Sequence, residues 1–210
     1  MNKTVVFDID DTLCDNSWRR LNTAAGVTDE EDYALYIGYT RGEFNYREWI
    51  TRLADMYRKH NFLTEKLARE VLGAYVLNDD TEVVVNELKN RGYDIILITG
   101  GFDITAEHLG TKLELTHYYA TSKLEFSGVG LFADIIASIE DGEAKVAILK
   151  KYLDQTGKLA SDCIAVGDSS NDIPLFNFTK NGITFDWSKD VVKDAAKHTI
   201  YTLSDLLKIL

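Results

Sequence analysis

Short apolar runs bounded by turn-forming residues punctuate the chain at Thr4–Phe7, Tyr93–Ile98, Cys163–Val166 and Ile183–Phe185. Runs that are continuous rather than alternating mark strands buried on both faces of a parallel sheet. Between them the apolar spacing turns helical. Val84, Val85 and Leu88 follow Thr81 and stop at Gly92, and Val146, Ile148, Leu149 and Leu153 mark a helix over 143–153. This alternation predicts an α/β fold with a doubly wound parallel sheet. Residues 124–137 predict a hairpin around Ser127-Gly128. From 14 to about 80 no strand pattern is present, and Tyr46, Trp49, Ile50, Leu53 and Tyr57 mark one face of a helix. The predicted organisation is a core of 1–13 and 81–210 with a helical insert at 14–80, placed directly after the first strand.

Composition fits one domain with such an insert, since the 210 residues are 45% hydrophobic and 27% charged. The 34 acidic residues outnumber the 23 basic ones, giving a net charge of −11. A field of that sign repels phosphate backbones and anionic lipid, so neither nucleic acid nor membrane is expected as a partner. The N-terminal Met1-Asn2-Lys3-Thr4 runs into a short apolar stretch that meets Asp8, a poor match to a secretion signal. Cys14 and Cys163 lack a metal or redox spacing and predict packed thiols in a reduced, cytoplasmic protein. Seven of the eight arginines and ten of the 23 aromatics fall within the insert.

Candidate chemistry sits at the strand ends. The first strand ends in Phe7-Asp8-Ile9-Asp10-Asp11-Thr12, where the period of two points Asp8 and Asp10 the same way. Converging carboxylates beyond a strand suit one metal, or a nucleophile and a proton donor; an Asp-rich turn is the plainer alternative. The second strand ends in Thr99-Gly100-Gly101 before a helix near Asp103, which reads as a phosphate cradle or as an ordinary strand-to-helix turn. The third ends in Gly167-Asp168-Ser169-Ser170-Asn171-Asp172, two acids four apart, or a turn with a helix cap. Lys145 lies near the start of its helix, the electrostatically worse end for a cation; it is either solvated or facing the crevice. In an open α/β sheet these strand ends converge on one crevice, which makes joint coincidence a poor account.

In these motifs the chain resembles the haloacid dehalogenase superfamily of phosphohydrolases, most closely the phosphoserine phosphatase branch. Asp-x-Asp-x-Thr at 8–12, Thr-Gly-Gly-Phe at 99–102, Lys145 and Gly-Asp-x-x-Asn-Asp at 167–172 follow that family's four motifs in order and spacing. The resemblance implies that the insert is a small cap domain of that family's helical type. It implies an Mg²⁺-dependent phosphomonoester hydrolase working through an aspartyl-phosphate on a small phosphorylated metabolite. By it, Asp8 is nucleophile and metal ligand, and Asp10 is acid and base and a ligand through its backbone carbonyl. Asp168 completes the metal set. Thr99, Gly100 and Lys145 hold the phosphoryl group, and Asn171 and Asp172 position water and Lys145. Asp8, Asp168 and Asp172 bring −3, which Mg²⁺ and Lys145 cancel.

The insert departs from that branch. The glutamate and arginine that read phosphoserine align with Ser17 and Leu53, with Tyr46 on a nearby aromatic and Arg52 adjacent. Without charged partners a zwitterion is not repaid for its lost water, so the expected substrate is not phosphoserine. Phosphoserine phosphatase proper, a phosphotransferase on the same intermediate and a low-turnover binding module remain the alternatives. Trp18, Arg19, Arg20, Tyr46 and Arg52 are the candidates to face the crevice, favouring a flat or anionic leaving group; the plainer reading is an aromatic core with solvated arginines.

Overall fold

Every residue of β1 (Thr4–Phe7) is buried, as a strand covered on both faces requires. The computed structural model describes residues 3–138 and 141–210. Met1 and Asn2, part of the segment compared above with a secretion signal, lie outside the described residues, as do Ile139 and Glu140. β1 pairs in parallel with β2 (Asp94–Phe102) on one side and β5 (Cys163–Val166) on the other. β3 (Tyr118–Phe126), β4 (Phe132–Ala137), β6 (Gly182–Phe185) and β7 (His198–Ile200) complete a seven-stranded sheet of order β4-β3-β2-β1-β5-β6-β7. Only β4 runs antiparallel.

Three differences from the sequence reading have physical causes. The hairpin turns at Ser127–Gly130, with Gly130 at a φ of 76° that favours glycine, but its first arm begins at Tyr118 because that arm also pairs with β2. β2 continues through Gly100 and Gly101 to Phe102, so these glycines lie on an irregular strand end, directly ahead of the helix that opens at Asp103 as expected. β7 is a three-residue edge strand with one buried residue, too short to leave a pattern.

Alternation along β1 divides the core. Val5 and Phe7 join Val84, Val85 and Leu88 of α5 (Thr81–Asn90) and Leu109 of α6 (Asp103–Lys112) on one face. Val6 faces Val146, Leu149 and Tyr152 of α7 (Asp141–Thr156) and Leu175 and Phe176 of α8 (Ile173–Thr179). The short helix α9 (Asp190–Ala195) packs beside β6, and α10 (Leu206–Ile209) packs beside α5.

Between β1 and α5 the chain forms α1 (Ser17–Ala24), α2 (Asp29–Thr40), α3 (Tyr46–His60) and α4 (Glu65–Gly73). Local sequence sets their starts. Thr28 with Glu31 and Asn45 with Glu48 form capping boxes, and Asn61 closes α3 in the left-handed region. Ile50, Leu53 and Tyr57 sit in a third apolar cluster with Leu21, Leu63 and Leu72, shared with Phe102, Ile104 and Ile135. The helical segment therefore packs on the end of β2 and on the hairpin, above the carboxyl ends of the strands.

Candidate active site

Parallel register levels the strand ends. Phe7 lies opposite Leu97 and Val166, so Asp8, Thr99 and Asp168 emerge together at the switch point, where the strand order reverses with β2 on one side of β1 and β5 on the other. After β1 the backbone closes a tight turn in which Thr12, Leu13 and Cys14 donate to the carbonyl of Ile9, with Asp11 at a φ of 59°. This turn lifts Asp10 clear of the sheet while Asp8 stays buried.

Lys145 is the hub. Its ammonium, fully buried, lies 2.7 Å from Asp8 Oδ1, 2.8 Å from Asp172 Oδ1 and 3.3 Å from Asn171 Oδ1. Burial works against its charge, but Asp172, Asp8 and Asp141 outweigh that and raise its pKa. Asp172 also accepts from the backbone N–H of Ser169 at 3.1 Å and packs so closely on Gly167 that any Cβ there would collide with it. Asn171 receives Ser169 Oγ at 2.7 Å and donates to Asp141 at 2.6 Å.

Carboxylate oxygens of Asp8, Asp168 and Asp172 lie within 4.8 Å of one another. The sequence reading placed Asp8 and Asp168 in the metal set with the carbonyl of Asp10, and Asp172 beside Lys145; Asp172 is the third side chain of this cluster. Among the described residues Asp168 accepts only from Thr12, at 3.2 Å. Burial, then the charges of Asp172 and Asp11, push its carboxyl up to about 7. Burial also raises Asp8 well above the usual carboxylate range, with Lys145 opposing and Asp172 and Asp168 adding to it. Three carboxylates against one ammonium leave uncompensated negative charge in hard oxygen donors, which fits a divalent cation such as Mg²⁺.

Asp10 is held differently. Ser17, the first residue of α1, donates its backbone N–H to Oδ1 at 2.9 Å and its hydroxyl to Oδ2 at 2.7 Å. Burial raises the Asp10 pKa and these two bonds oppose it. Ser17 was expected as a substrate-reading position; fully buried and spent on Asp10, it orients that carboxyl instead. Beside it Thr99 Oγ1 accepts from the Gly101 N–H at 2.9 Å. Gly100 faces the Asp141 carboxylate with no room for a Cβ.

The crevice encloses about 510 Å³, floored by Asp8, Asp10, Thr99, Gly100, Asp141 and Asp168 and walled by Trp18, Tyr36, Tyr39, Tyr46 and Trp49. Of the insert residues singled out from sequence, Trp18 and Tyr46 reach it. The arginines do not. Arg19 lines a separate groove beyond Asp168, Arg20 lies 3.2 Å from Asp15, and Arg52 stacks 4.4 Å from the Phe44 ring. Successive residues of α1 point about 100° apart. Of the run 18–20 it is Trp18 that lines the crevice, while Arg20 lies half-buried against Asp15. Tyr36, Tyr39, Asp141 and Glu143 were missed. The repeat Tyr33, Tyr36, Tyr39 at three-residue spacing was the available signal, and Asp141 stands one turn before Lys145 on the same helix face.

A seven-stranded, nearly all-parallel sheet gathers Asp8, Asp10, Asp168, Asp172 and the buried Lys145 at its switch point, the place where open α/β sheets hold their ligands. The sequence model of the haloacid dehalogenase-like hydrolases matches residues 2–177, and the chain belongs to that family. Phosphoserine phosphatase of Methanocaldococcus jannaschii is 28% identical over 195 residues, 92% of this chain and 90% of the relative. The enzyme of that name from Streptococcus thermophilus is 28% identical, covering 98% and 93%. A phosphoserine phosphatase solved as an analogue of its phospho-aspartyl intermediate superposes with a TM-score of 0.85 at 28% identity, over 100% of this chain and 99% of that one. The chain is thus a phosphatase of this family. Among the described residues no helix is long and apolar enough to cross a membrane.

Proposed function

We propose that the protein is a divalent-metal-dependent phosphomonoesterase that works through an aspartyl-phosphate on a small phosphorylated metabolite other than phosphoserine. The observation that carries this reading is Lys145 bridging Asp8 and Asp172 beside Asp168, with Asp10 held separately by Ser17 at the same strand ends. Residues 1–13 and 81–210 form the catalytic core and 14–80 the cap in this reading.

Asp8 and Asp168, with the backbone carbonyl of Asp10, would hold the metal, Mg²⁺ by the hardness of its donors. When bound, that ion supplies the positive charge that lets a phosphate dianion approach the carboxylates. A carboxylate oxygen of Asp8 attacks phosphorus in line, the ester P–O bond breaks, and the leaving oxygen takes its electron pair and a proton from Asp10. Water then attacks the aspartyl-phosphate, Asp10 takes its proton, and the bond from Asp8 to phosphorus breaks to release inorganic phosphate. The raised pKa of Asp10 suits a group that must begin protonated. Lys145, Thr99 and the Gly100 N–H hold the transferring group, and Asp172 and Asn171 keep Lys145 in place.

The exclusion of phosphoserine rests on the cap. Ser17 carries no charge and is engaged with Asp10, Leu53 is wholly buried, and no Arg or Lys side chain is among the described residues lining the crevice. A substrate carboxylate there would lose its water with nothing in return. Phosphoserine phosphatase activity is the second reading, favoured by the names of the relatives. One assay separates the two: phosphate release with Mg²⁺ from p-nitrophenyl phosphate, phosphoserine and other phosphomonoesters, with chelated protein as control. Turnover of p-nitrophenyl phosphate with weak turnover of phosphoserine supports the first reading. Efficient phosphoserine hydrolysis selects the second, and no metal-dependent release from any ester refutes both.

A further inference from the structure

The crevice wall is built from Trp18, Tyr39, Tyr46 and Trp49, which are in mutual contact. Tyr46 and Trp49 lie 5.5 Å apart at 29°, Trp18 and Trp49 5.7 Å at 51°, and Tyr39 meets Tyr46 at 6.3 Å and 65°. A slot for a flat ring would need parallel faces with a gap between them. These rings instead pack on one another and, through Trp18, on Phe102. They form a continuous aromatic wall with no gap to admit a flat ring between them, a surface suited to a compact group lying against it. Tyr36 is already used: Lys189 donates to its hydroxyl at 3.2 Å and lies 5.8 Å from its ring centre.

Charge gives the sign of that group. Asp11, Asp141 and Glu143 also line the crevice, with no Arg, Lys or His among the described lining residues. Asp141 is held by Thr121 and Asn171, so it is fixed near the aromatic wall. An anionic leaving group would be repelled, which removes half of the expectation drawn from the insert's arginines. A cation would gain from both the ring faces and the carboxylates. A primary ammonium keeps strong hydration that rings cannot replace, whereas an alkylated ammonium loses little on lying against an aromatic wall.

We infer that this aromatic wall reads the leaving group of the substrate, and that the substrate is the phosphate monoester of an alcohol carrying a quaternary or otherwise fully alkylated ammonium. The inference rests on the phosphomonoesterase reading above. The products are then inorganic phosphate and the cationic alcohol, the latter protonated at its hydroxyl by Asp10.

Phosphocholine and its uncharged isostere 3,3-dimethylbutyl phosphate differ only at the group that would lie against the wall. With Mg²⁺, kcat/KM for phosphocholine should exceed that for the isostere and for phosphoethanolamine by about tenfold or more. Trp49→Leu should cut the phosphocholine value by about tenfold more than the isostere value. Tyr39→Leu alters a ring that is 41% exposed, so it should fold whatever happens to the Trp49 variant, and it should act in the same direction. A readout independent of turnover is quenching of tryptophan fluorescence by tetramethylammonium, expected in the parent and weakened in Tyr39→Leu. Equal turnover of phosphocholine and the isostere, with no tetramethylammonium binding, overturns this role of the wall while leaving the phosphomonoesterase intact. Absence of turnover of every ester, p-nitrophenyl phosphate included, overturns the phosphomonoesterase reading and this inference with it.

Discussion

Replacing Lys145 with methionine removes one charge from a place where two carboxylates depend on it. At 2.7 and 2.8 Å and an effective dielectric of 20, each contact is worth roughly 6 kcal/mol gross. Most of that only offsets the cost of burying an ammonium that is fully out of solvent, so the net figure is far smaller. What remains after the substitution is Asp8 facing Asp172 and Asp168 with no cation between them. Breaking a buried ion cluster in this way costs about 3–5 kcal/mol. In a chain of this length each kcal/mol moves the melting temperature by about 2–4 °C, so the loss should be about 6–20 °C.

The pH dependence makes the reasoning specific. The Asp8 pKa is already raised in the folded protein, and losing Lys145 removes an influence that lowers it. Between the ordinary carboxylate pKa and this raised value the folded state binds more protons than the unfolded one, so stability falls as pH rises. The deficit of Lys145→Met should therefore be largest near pH 7.5 and clearly smaller near pH 5.5, where a carboxyl takes up the missing proton. Thermal melts followed by circular dichroism, with chelator present throughout, measure both numbers. Adding Asp172→Asn to the variant should recover part of the loss at pH 7.5. A variant melting within about 2 °C of the parent at pH 7.5, or an equal deficit at both pH values, would refute the hub role of Lys145.

Asp8→Asn should fold and lose turnover by several orders of magnitude, because the near-isosteric amide cannot attack phosphorus; a folded variant at the parental rate, by phosphate release, would end the nucleophile assignment. Asp10→Asn should cost about 10²–10⁴-fold on an alkyl phosphate and much less on p-nitrophenyl phosphate, whose leaving group needs little protonation, and equal losses would count against the acid role. Ser17→Ala removes a hydrogen bond to the ionised form of Asp10, so the pKa assigned to the acid in the pH profile of kcat should rise; an unmoved profile would leave Ser17 with a packing role only. Metal-free protein should lose stability as pH rises from about 4 through 7, the window over which Asp168 gives up a proton that the unfolded chain has already lost. Saturating Mg²⁺ should remove that slope, and a metal-free melting curve flat across this range would contradict the crowded-carboxylate account.

Much of the crevice floor was legible because few variables decide it. A short unbroken apolar run is a buried parallel strand, the end of such a strand points to the crevice, and a period of two places alternate side chains together. Asp8, Thr99 and Asp168 sit where those rules put them, whereas Lys145 lies on a helix and was singled out by the family resemblance. Asp172 illustrates where they stop. Its place against Lys145 depends on the short helical turn at Ser170–Asp172 and on the absence of a side chain at Gly167, neither of which a strand pattern encodes. The extension of β2 through Gly100 and Gly101 was hidden for a related reason: paired glycines are common in turns, and only pairing with β3 keeps them extended.

The cap was harder to read because there the deciding variable is rotation about a helix axis. Arg20 lies ten residues from Asp10 and Ser17 only seven, a difference of no consequence for reach. Yet Ser17 meets Asp10, Trp18 faces the crevice, Arg19 faces another groove and Arg20 turns to Asp15. A composition count over the insert could register its arginines and aromatics but not separate them. The structure does so, and the separation changes the electrostatics of the site. With the guanidinium groups outside, the ammonium of Lys145 lies buried beneath the floor and is already shared by two carboxylates. A dianionic phosphate then depends on a metal ion at one end of the crevice, while the other end, lined by rings and carboxylates, favours positive charge on whatever the phosphate is attached to.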